Sequence, residues 1–394
     1  MEQLNDFRMT HKVLAEKQGF NEKVLDSYKF TNLKKFFEGL TLSGGKTDIQ
    51  AEKTIFPTIT YTDGTFSVDG ELPSGIEVRP IKDHLQELKP LLSDEHTLSH
   101  LHHANFGEGL YIKVGKDVVV KSPIRLLNKL NDSKLTAPTH LIVGEKHSKL
   151  TVIEETVGAN LPHIFLSETY IKADAGAMIE HISLDEESTD GLNHGTVIAD
   201  VAKDATVKSL MFHNSGKLNR KNLVLRLNEP GANGESFALF LTNKEEHSDI
   251  YTLIDHRAAD TTSAQMAKGI LDENSRGVFT GKIFIRPDSQ RVASSQLNKN
   301  LLLSKKAQIH SQPQLEIFAD DVKCSHGSTT GQLSDDEVFY FSARGIPAEK
   351  ARTLLALGFG LEIVQKISNS EAREYLHGKV LKTLESKFDL GEKK

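Results

Sequence analysis

The chain has 394 residues, of which 38% are apolar and 26% are charged, and its formal net charge is −6. A slightly acidic chain without a basic cluster is a poor match for nucleic acid as its main partner. No apolar run approaches the roughly 18 residues of a membrane span, and the first residues lack the apolar core of a signal peptide. The single cysteine cannot form an internal disulfide, which predicts a reducing compartment and a cytoplasmic location.

The N-terminal part of the chain, residues 1–105, is predicted to be a helical region with loops. Residues 1–40 read as helix, with apolar side chains repeating at helical spacing. The stretch 41–75 is rich in Gly, Thr, Ser and Asp, which indicates loops with short strands. Residues 83–106 return to a helical pattern that is broken at Pro90.

The central part, residues 106–332, is predicted to be a stack of short strands. Runs with period-2 alternation follow one another, and in one of them Phe237, Leu239 and Leu241 share a face. Only residues 263–271 suggest a short helix. So many strands suit either a sandwich or barrel, or a solenoid. The length favours a solenoid, in which each turn packs only against its neighbours, although the irregular spacing of the strands does not decide the matter.

The C-terminal part, residues 333–394, is predicted to be a domain of three helices. Ser334 begins a capping box, in which its hydroxyl would bond to a free backbone N–H of the first turn. Gly345 is expected to end that helix in the left-handed conformation, and Pro347 prevents its continuation. Ser368 is the expected cap of the third helix.

The segment GLTLSGGKT, residues 39–47, resembles a phosphate-binding loop. The P-loop pattern would require a glycine five positions before Gly45, whereas that position holds Leu40. A P-loop also follows a strand, and the segment here follows a predicted helix. We therefore expect a flexible loop and no nucleotide bound by this chain.

Two histidine-containing motifs were considered as sites. His100 and His103, in the run HLHH, lack a carboxylate four residues on, so a solvated or packing face is expected rather than a metal site. Asp255, His256 and Arg257 are adjacent, but neighbouring residues of a strand point to opposite faces, which argues against one catalytic cluster.

The remaining candidate site is the run DDVKCSHG, which contains Cys324 and His326. Two residues apart on an extended segment, their side chains project to the same side. The imidazole could activate the thiol, or both could bind iron or another metal together with a partner's ligands. Asp320 and Asp321 would raise the thiol pKa, and a buried structural cysteine is the third alternative. Residue chemistry alone leaves these alternatives open.

The stretch that ends in FADDVKCSHGSTTGQLSDDEVFYFSARGIP resembles the signature of the SufB/SufD family of iron–sulfur cluster assembly scaffolds. QLNKNLLLS upstream is similar to another family element, and SYKFTNLKKFF resembles an N-terminal element of the SufD branch, with Tyr28 where tryptophan is usual. The absence of further cysteines also resembles that branch. The resemblance implies a right-handed parallel β-helix flanked by helical regions and acting as a non-enzymatic scaffold.

The resemblance further implies partners and roles. A SufB-like paralogue would bind through the β-helix, with a homodimer as the alternative for the isolated chain, and a SufC-like ABC ATPase would bind the C-terminal helices. His326 matches the family histidine at the paralogue interface, where a transient iron–sulfur cluster forms, and it would be a metal ligand shared with the partner. Cys324 matches the neighbouring position, with a less defined role.

The apolar faces of the C-terminal helices predict where the ATPase contact lies. Such faces suit a helix-in-groove contact, and the residues expected to contribute are Leu354, Leu357, Phe359 and Leu361. Two alternative functions are a carbohydrate-active enzyme built on a β-helix and a purely structural adaptor. The sequence shows no recurring acidic or basic constellation of the kind that such an enzyme would need.

Overall fold

The structure is a computed structural model that describes residues 2–18, 28–62, 65–92, 97–106, 109–186, 190–214 and 216–388. The α-helices are α1 (Glu2–Gln18), α2 (Leu33–Glu38), α3 (Leu85–Leu88), α4 (Thr97–Ala104), α5 (Asp335–Ser342), α6 (Ala348–Val364) and α7 (Ser370–Lys387). The first ten strands are β1 (Thr58–Thr62), β2 (Thr65–Asp69), β3 (Ile76–Pro80), β4 (Leu110–Val114), β5 (Ile124–Leu130), β6 (Leu135–Thr136), β7 (Thr139–Gly144), β8 (Lys149–Gly158), β9 (Ile164–Ala173) and β10 (Met178–Glu186). The other ten are β11 (Leu192–Val201), β12 (Thr206–His213), β13 (Leu218–Leu227), β14 (Asn233–Thr242), β15 (His247–His256), β16 (Thr262–Leu271), β17 (Arg276–Ile285), β18 (Val292–Leu302), β19 (Gln308–Ile317) and β20 (Val322–Gln332).

The strands form a parallel solenoid, which confirms the predicted fold class. The first sheet runs in the order β2-β1-β5-β8-β10-β12-β14-β16-β18-β20, and the second runs β19-β17-β15-β13-β11-β9-β7-β4-β3, with β6 also paired to β9. From β7 to β20 successive strands alternate between the sheets, so each turn adds one strand to each, whereas the pairs β1–β2 and β3–β4 at the start are antiparallel. Phe237 pairs with Met266, and Met266 pairs with Leu297 one turn further on. The first of these turns is two residues shorter than the second, so the turns differ in length and the sequence shows no strict period.

Alternation along the strands gives the solenoid two apolar faces. In β14, Ala238 and Phe240 point inward to the central core. Phe237, Leu239 and Leu241 share the opposite face, as predicted, and this face is covered by α6 and α7. A strand that is apolar on both faces is typical of a parallel sheet covered on both sides.

The turns that lead from the second sheet into the first are stacked on one another. Each contains a residue with left-handed backbone, whose N–H donates to a carbonyl of the next turn. These residues are Asp117, His147, Gly176, Asp204, Gly231, Asp260 and Arg291. Aspartate and histidine tolerate this conformation better than most residues, and glycine adopts it freely. The Gly- and Asp-containing breaks between strands in the sequence are these turns.

Several local predictions need correction. Residues 263–271 lie in strand β16 and not in a helix. Ser334 does precede α5, but its side chain makes no capping hydrogen bond. The cap of α7 is Asn369 rather than Ser368, because the Asn369 side chain accepts bonds from the N–H groups of the first turn. Gly345 has the predicted left-handed conformation, with φ of 80°.

The region before residue 106 mixes helices with strands that belong to the solenoid. Within residues 1–40, which are predicted as helix, α1 and α2 are helical and residues 29–32 are not, while residues 19–27 lie outside the described residues. Further along the chain, β1 pairs in parallel with β5 of the first sheet. Ile81 and Leu88 pack on the outer face of the second sheet. The domain limits 1–105, 106–332 and 333–394 stay a prediction.

The C-terminal helices are held to the first sheet by apolar packing and by buried charges. Ile363, Val364 and Leu376 belong to one cluster with the outer face of that sheet. Lys379 Nζ lies 3.0 Å from Glu155 Oε1, and Arg125 Nε lies 2.7 Å from Glu155 Oε2. None of the described helices combines the length and apolar character needed to cross a lipid bilayer.

Candidate functional site at the terminal turn

The predicted pair Cys324 and His326 lies on β20, the last strand of the first sheet. β20 pairs with β18, and no described strand pairs with its other edge. β19, the last strand of the second sheet, likewise pairs only with β17 among the described strands. The terminal turn is therefore an open end of the solenoid, where backbone N–H and C=O groups are available to another chain.

Cys324 is half-buried at this open end. Its side chain packs against a small apolar cluster that includes Ile283, Ile285 and Val292. Burial raises the pKa of the Cys324 thiol, and a backbone hydrogen bond at Ser294 opposes the increase. The predicted direction of this shift is thus correct, but its cause is burial and not the neighbouring acids Asp320 and Asp321.

His326 is the exposed member of the pair. It lies in register with Gln296 of β18, as Cys324 lies in register with Ser294, and both partners are buried. The two predicted residues therefore project to the same side of β20, toward the axis of the solenoid. His326 has no hydrogen-bonding or ionic partner among the described residues, so its imidazole is available to a ligand or to a second chain.

The terminal turn offers one exposed imidazole and one partly shielded thiol as donors. Both atom types bind iron and other transition metals. Two donors do not complete a tetrahedral or octahedral coordination sphere, so a metal or cluster held here needs ligands from elsewhere. An edge strand is suited to bring a second chain into position, because it can extend its ladder of hydrogen bonds.

The residues predicted for the ATPase contact are only partly accessible. Leu354 is exposed, with 38% of its surface accessible. Leu357, Phe359 and Leu361 are half-buried against the cluster beneath α6 and α7. Lys268 Nζ lies 4.2 Å from the centroid of the Phe359 ring, which further shields that side chain.

Two exposed aromatic residues on α5 are not among the residues predicted from the sequence for this contact. Phe339 and Tyr340 have 72% and 57% of their surface accessible, and α5 packs against α6, which carries Leu354. Large exposed aromatic side chains, on a helix packed against another that carries an exposed leucine, are typical of a protein-binding surface. We call Phe339, Tyr340 and Leu354 the C-terminal apolar patch. The sequence feature that could have indicated them is the run FYF within the helix predicted after Ser334.

Two motifs set aside in the sequence do not form catalytic sites among the described residues. Lys46 of the P-loop-like segment lies 3.6 Å from Asp132, in an extended stretch that leads into no helix N-terminus. Asp255 faces Arg257 and Arg286, at 2.6 Å and 2.9 Å. His256 points the other way, with ring nitrogens 2.7 Å from Thr261 Oγ1 and 3.0 Å from Ser263 Oγ.

The HLHH run is buried rather than solvated, in agreement with the packing alternative. His102 and His103 of α4 lie against Glu168 of β9, and Tyr170 donates a hydrogen bond of 2.7 Å to the same carboxylate. Burial by itself would raise the pKa of Glu168. The two imidazoles and the hydrogen bonds outweigh burial and lower that pKa to about 2.

The terminal turn defines a class of protein: a parallel β-solenoid that presents a thiol and an imidazole on an unpaired edge strand. Residues 126–359 match the family model for the SufBD core domain of SUF-system FeS cluster assembly. The chain is 31% identical over 283 residues to an iron–sulfur cluster assembly SufBD family protein of Synechocystis, covering 68% of this chain and 62% of that protein. The chain belongs to the SufB/SufD family.

Other relatives carry the name SufD. The chain is 32% identical over 244 residues to the iron–sulfur cluster assembly protein SufD of Escherichia coli, covering 61% of this chain and 57% of that protein. It is 25% identical over 283 residues to SufD of Bacillus subtilis, covering 70% of this chain and 64% of that protein. The matched part thus spans less than two thirds of the length of these relatives.

Proposed function

We propose that this chain is a SufD-like, non-enzymatic scaffold subunit for iron–sulfur cluster assembly in the cytoplasm. The observation that carries the proposal is the exposed imidazole of His326 on the open edge strand of a SufB/SufD-family solenoid. The cluster is cargo in this proposal: it forms transiently at the terminal turn and leaves for an acceptor protein.

The proposed partner at the terminal turn is a SufB-like paralogue. A second solenoid can pair with the free edges of β19 and β20 and so continue both sheets. The paralogue would contribute the thiolates that this chain lacks, while His326 would add a nitrogen ligand or carry a proton. A second copy of this chain could pair in the same way, but with one half-buried cysteine each it would offer few thiolates.

The proposed partner at the C-terminal helices is a SufC-like ABC ATPase, which would supply the nucleotide site. The C-terminal apolar patch supports this proposal because its residues lie on helices α5 and α6 and not on the terminal strands β19 and β20. Among the four residues first predicted for the contact, Leu354 is the accessible one, and Leu357, Phe359 and Leu361 would support the surface from beneath.

The proposed cluster site is tested by replacing His326 and Cys324 separately. His326→Ala is expected to lower the iron and sulfide content of the complex with a SufB-like and a SufC-like chain by about tenfold, because a ligand is lost. Cys324→Ala should retain most of the cluster, since a shielded thiol with a raised pKa is a weak ligand. The measurement is iron and sulfide analysis of the anaerobically purified complex, with its mass checked by gel filtration.

Ser325→Ala is the matched control, because Ser325 lies between the two residues and projects to the opposite side of β20. It should leave the cluster content unchanged. A fully loaded His326→Ala complex beside an empty Cys324→Ala complex would reverse the assignment of roles. Full loading of both variants would reduce the pair to a packing motif.

The ATPase contact is tested by placing a charge in the C-terminal apolar patch. Phe339→Asp is expected to weaken co-purification with the SufC-like ATPase by more than about tenfold, as expected for a central aromatic contact. Pairing with the SufB-like chain should persist. Ile55→Asp is the control, because Ile55 is an exposed apolar residue, 87% accessible, outside the patch. Undiminished ATPase recovery with Phe339→Asp would place the contact elsewhere.

Point variants are preferable here to truncation after Ser334. Removing α5, α6 and α7 would uncover the apolar outer face of the first sheet, including Phe212 and Leu239. Such a face would aggregate or bind other proteins without specificity, and loss of ATPase binding would then say little about the contact.

A further inference from the structure

A second cluster of metal-binding side chains lies far from the terminal turn, between α4 and β9. His102 Nδ1 lies 3.3 Å from Glu168 Oε2, and His103 Nε2 lies 2.9 Å from the same oxygen. All three side chains are buried. One ligand atom from each lies within 4.8 Å of the others.

The two ring nitrogens of His102 have different surroundings. Nε2 lies 3.1 Å from the carbonyl oxygen of Pro138, which can only accept a hydrogen bond, and 3.3 Å from the Thr139 hydroxyl, which can donate or accept one. Nδ1 lies 3.3 Å from the Glu168 carboxylate but is buried and makes no hydrogen bond within the part of the chain that the structure describes. When Nε2 carries the N–H, Nδ1 presents a lone pair toward Glu168, and a cation between them would satisfy both groups.

The donor set and its surroundings suit a cation. Two imidazole nitrogens and one carboxylate oxygen form a ligand set used for Zn²⁺ and for non-haem Fe²⁺. In a tetrahedral site with metal–ligand bonds of about 2.0–2.1 Å, ligand atoms are about 3.3 Å apart, close to the 3.3 Å and 2.9 Å that separate the two imidazole nitrogens from Glu168 Oε2. Metal-bound histidines usually donate their other N–H to a backbone carbonyl, and His102 Nε2 lies where it would donate to Pro138; the Tyr170 hydroxyl donates to Glu168 and orients it.

We propose that His102, His103 and Glu168 bind a divalent transition-metal ion, Zn²⁺ or Fe²⁺, that ties helix α4 to the second sheet of the solenoid. Water or another small ligand would complete the coordination. The sequence around HLHH offers no carboxylate four residues on, whereas the fold brings Glu168 from 65 positions away. This site does not depend on the proposed role in cluster assembly.

The test uses the purified full-length chain, stripped with a chelator and titrated with Zn²⁺ and, separately, Co²⁺. We expect about one ion per chain, an increase in melting temperature, and Co²⁺ absorption bands of the intensity typical of four-coordinate nitrogen and oxygen ligation. An ion that binds the folded state stabilises it by mass action, so the melting temperature should rise with free Zn²⁺. A wild-type chain that binds no ion and melts at the same temperature would overturn the proposal in favour of a buried hydrogen-bonded cluster without a metal.

Variants separate this site from other histidines. Glu168→Gln, which keeps the side-chain shape, should weaken Zn²⁺ binding by more than about tenfold and abolish the thermal shift, and Tyr170→Phe should weaken binding by about tenfold. His377→Ala, at a half-buried histidine of α7, should leave both unchanged. Retention of the ion by Glu168→Gln, or its loss in His377→Ala, would also overturn the proposal. If Glu168→Gln does not fold, the wild-type Co²⁺ spectrum and stoichiometry still decide the matter.

Discussion

Replacing Arg220 with methionine is expected to destabilise the chain by about 3–5 kcal/mol, because the change leaves a buried carboxylate without its cation. Arg220 and Asp249, on neighbouring strands β13 and β15, are hydrogen-bonded and fully buried. The guanidinium also lies over the Tyr28 ring, 3.8 Å from its centroid. Without Arg220, the Asp249 carboxylate would keep the hydroxyl of Thr31 as a donor.

This pair anchors the segment that carries Tyr28 and Thr31 to the outer face of the second sheet. The N-terminal segment thus contacts the solenoid over a buried ion pair. We therefore expect Arg220→Met to loosen the N-terminal segment as well. Faster amide exchange in residues 28–40 would report this loosening.

A double-mutant cycle makes the prediction specific. Asp249→Asn alone should also be strongly destabilising, whereas Arg220→Met combined with Asp249→Asn should cost clearly less than the sum, since neither buried charge is then left alone. The measurement is the midpoint of urea unfolding at neutral pH. Arg291→Met is the control, because Arg291 forms a similar two-bond pair with Asp260 at the surface. Additive losses in the double variant would show that the two charges do not depend on each other.

The strand stack could be predicted from the sequence because alternation and turn residues are local signals. The short helix predicted at 263–271 was wrong because small residues fit either period there: Ala264 and Ala267 suit a helical face, yet every second residue of β16 is buried on one side. Capping was predicted one residue away from its actual place because Ser368 and Asn369 are both good caps, and only the backbone path selects between them.

The candidate sites likewise fall into those with a local sequence signal and those that only the fold brings together. Cys324 and His326 could be found because they are neighbours on one strand and lie in a recognisable motif. The set of His102, His103 and Glu168 could not, because its members lie on a helix and on a strand that only the fold brings together. The pair of Arg220 and Asp249 was missed for the same reason, since strand pairing joins positions one solenoid turn apart.

Acid is expected to destabilise this fold well before most carboxylates are protonated. His213, His247 and His256 are buried, and burial lowers the pKa of each to about 4 in the folded chain. The nearby acids Asp185, Asp249 and Asp255 oppose the decrease, while Lys221 near His213, and Arg276, Arg220 and His310 near His247, add to it. In the unfolded chain the histidine pKa is about 6.5.

The direction in which stability changes with pH follows from proton uptake by the unfolded chain. Between about pH 6.5 and pH 4 the unfolded chain binds protons at these histidines and the folded chain does not, so the free energy of unfolding falls as the pH falls through that window. Each histidine contributes up to about 1.4 kcal/mol per pH unit within it. His256→Gln can still hydrogen-bond to Thr261 and Ser263 but cannot titrate. It should therefore reduce the dependence of the unfolding free energy on pH by the contribution of about one proton.

Ser289→Ala is the control that distinguishes a titration effect from a general loss of stability near His256. Ser289 donates a buried hydrogen bond of 2.8 Å to the carbonyl of His256 and does not titrate. Its loss should lower stability by about 1 kcal/mol at every pH from 4 to 8 and leave the slope unchanged. The measurement is urea unfolding of the parent and both variants across that range. An unchanged slope in His256→Gln would mean that this histidine binds its proton equally well in the folded and unfolded chain, so that burial does not control its charge.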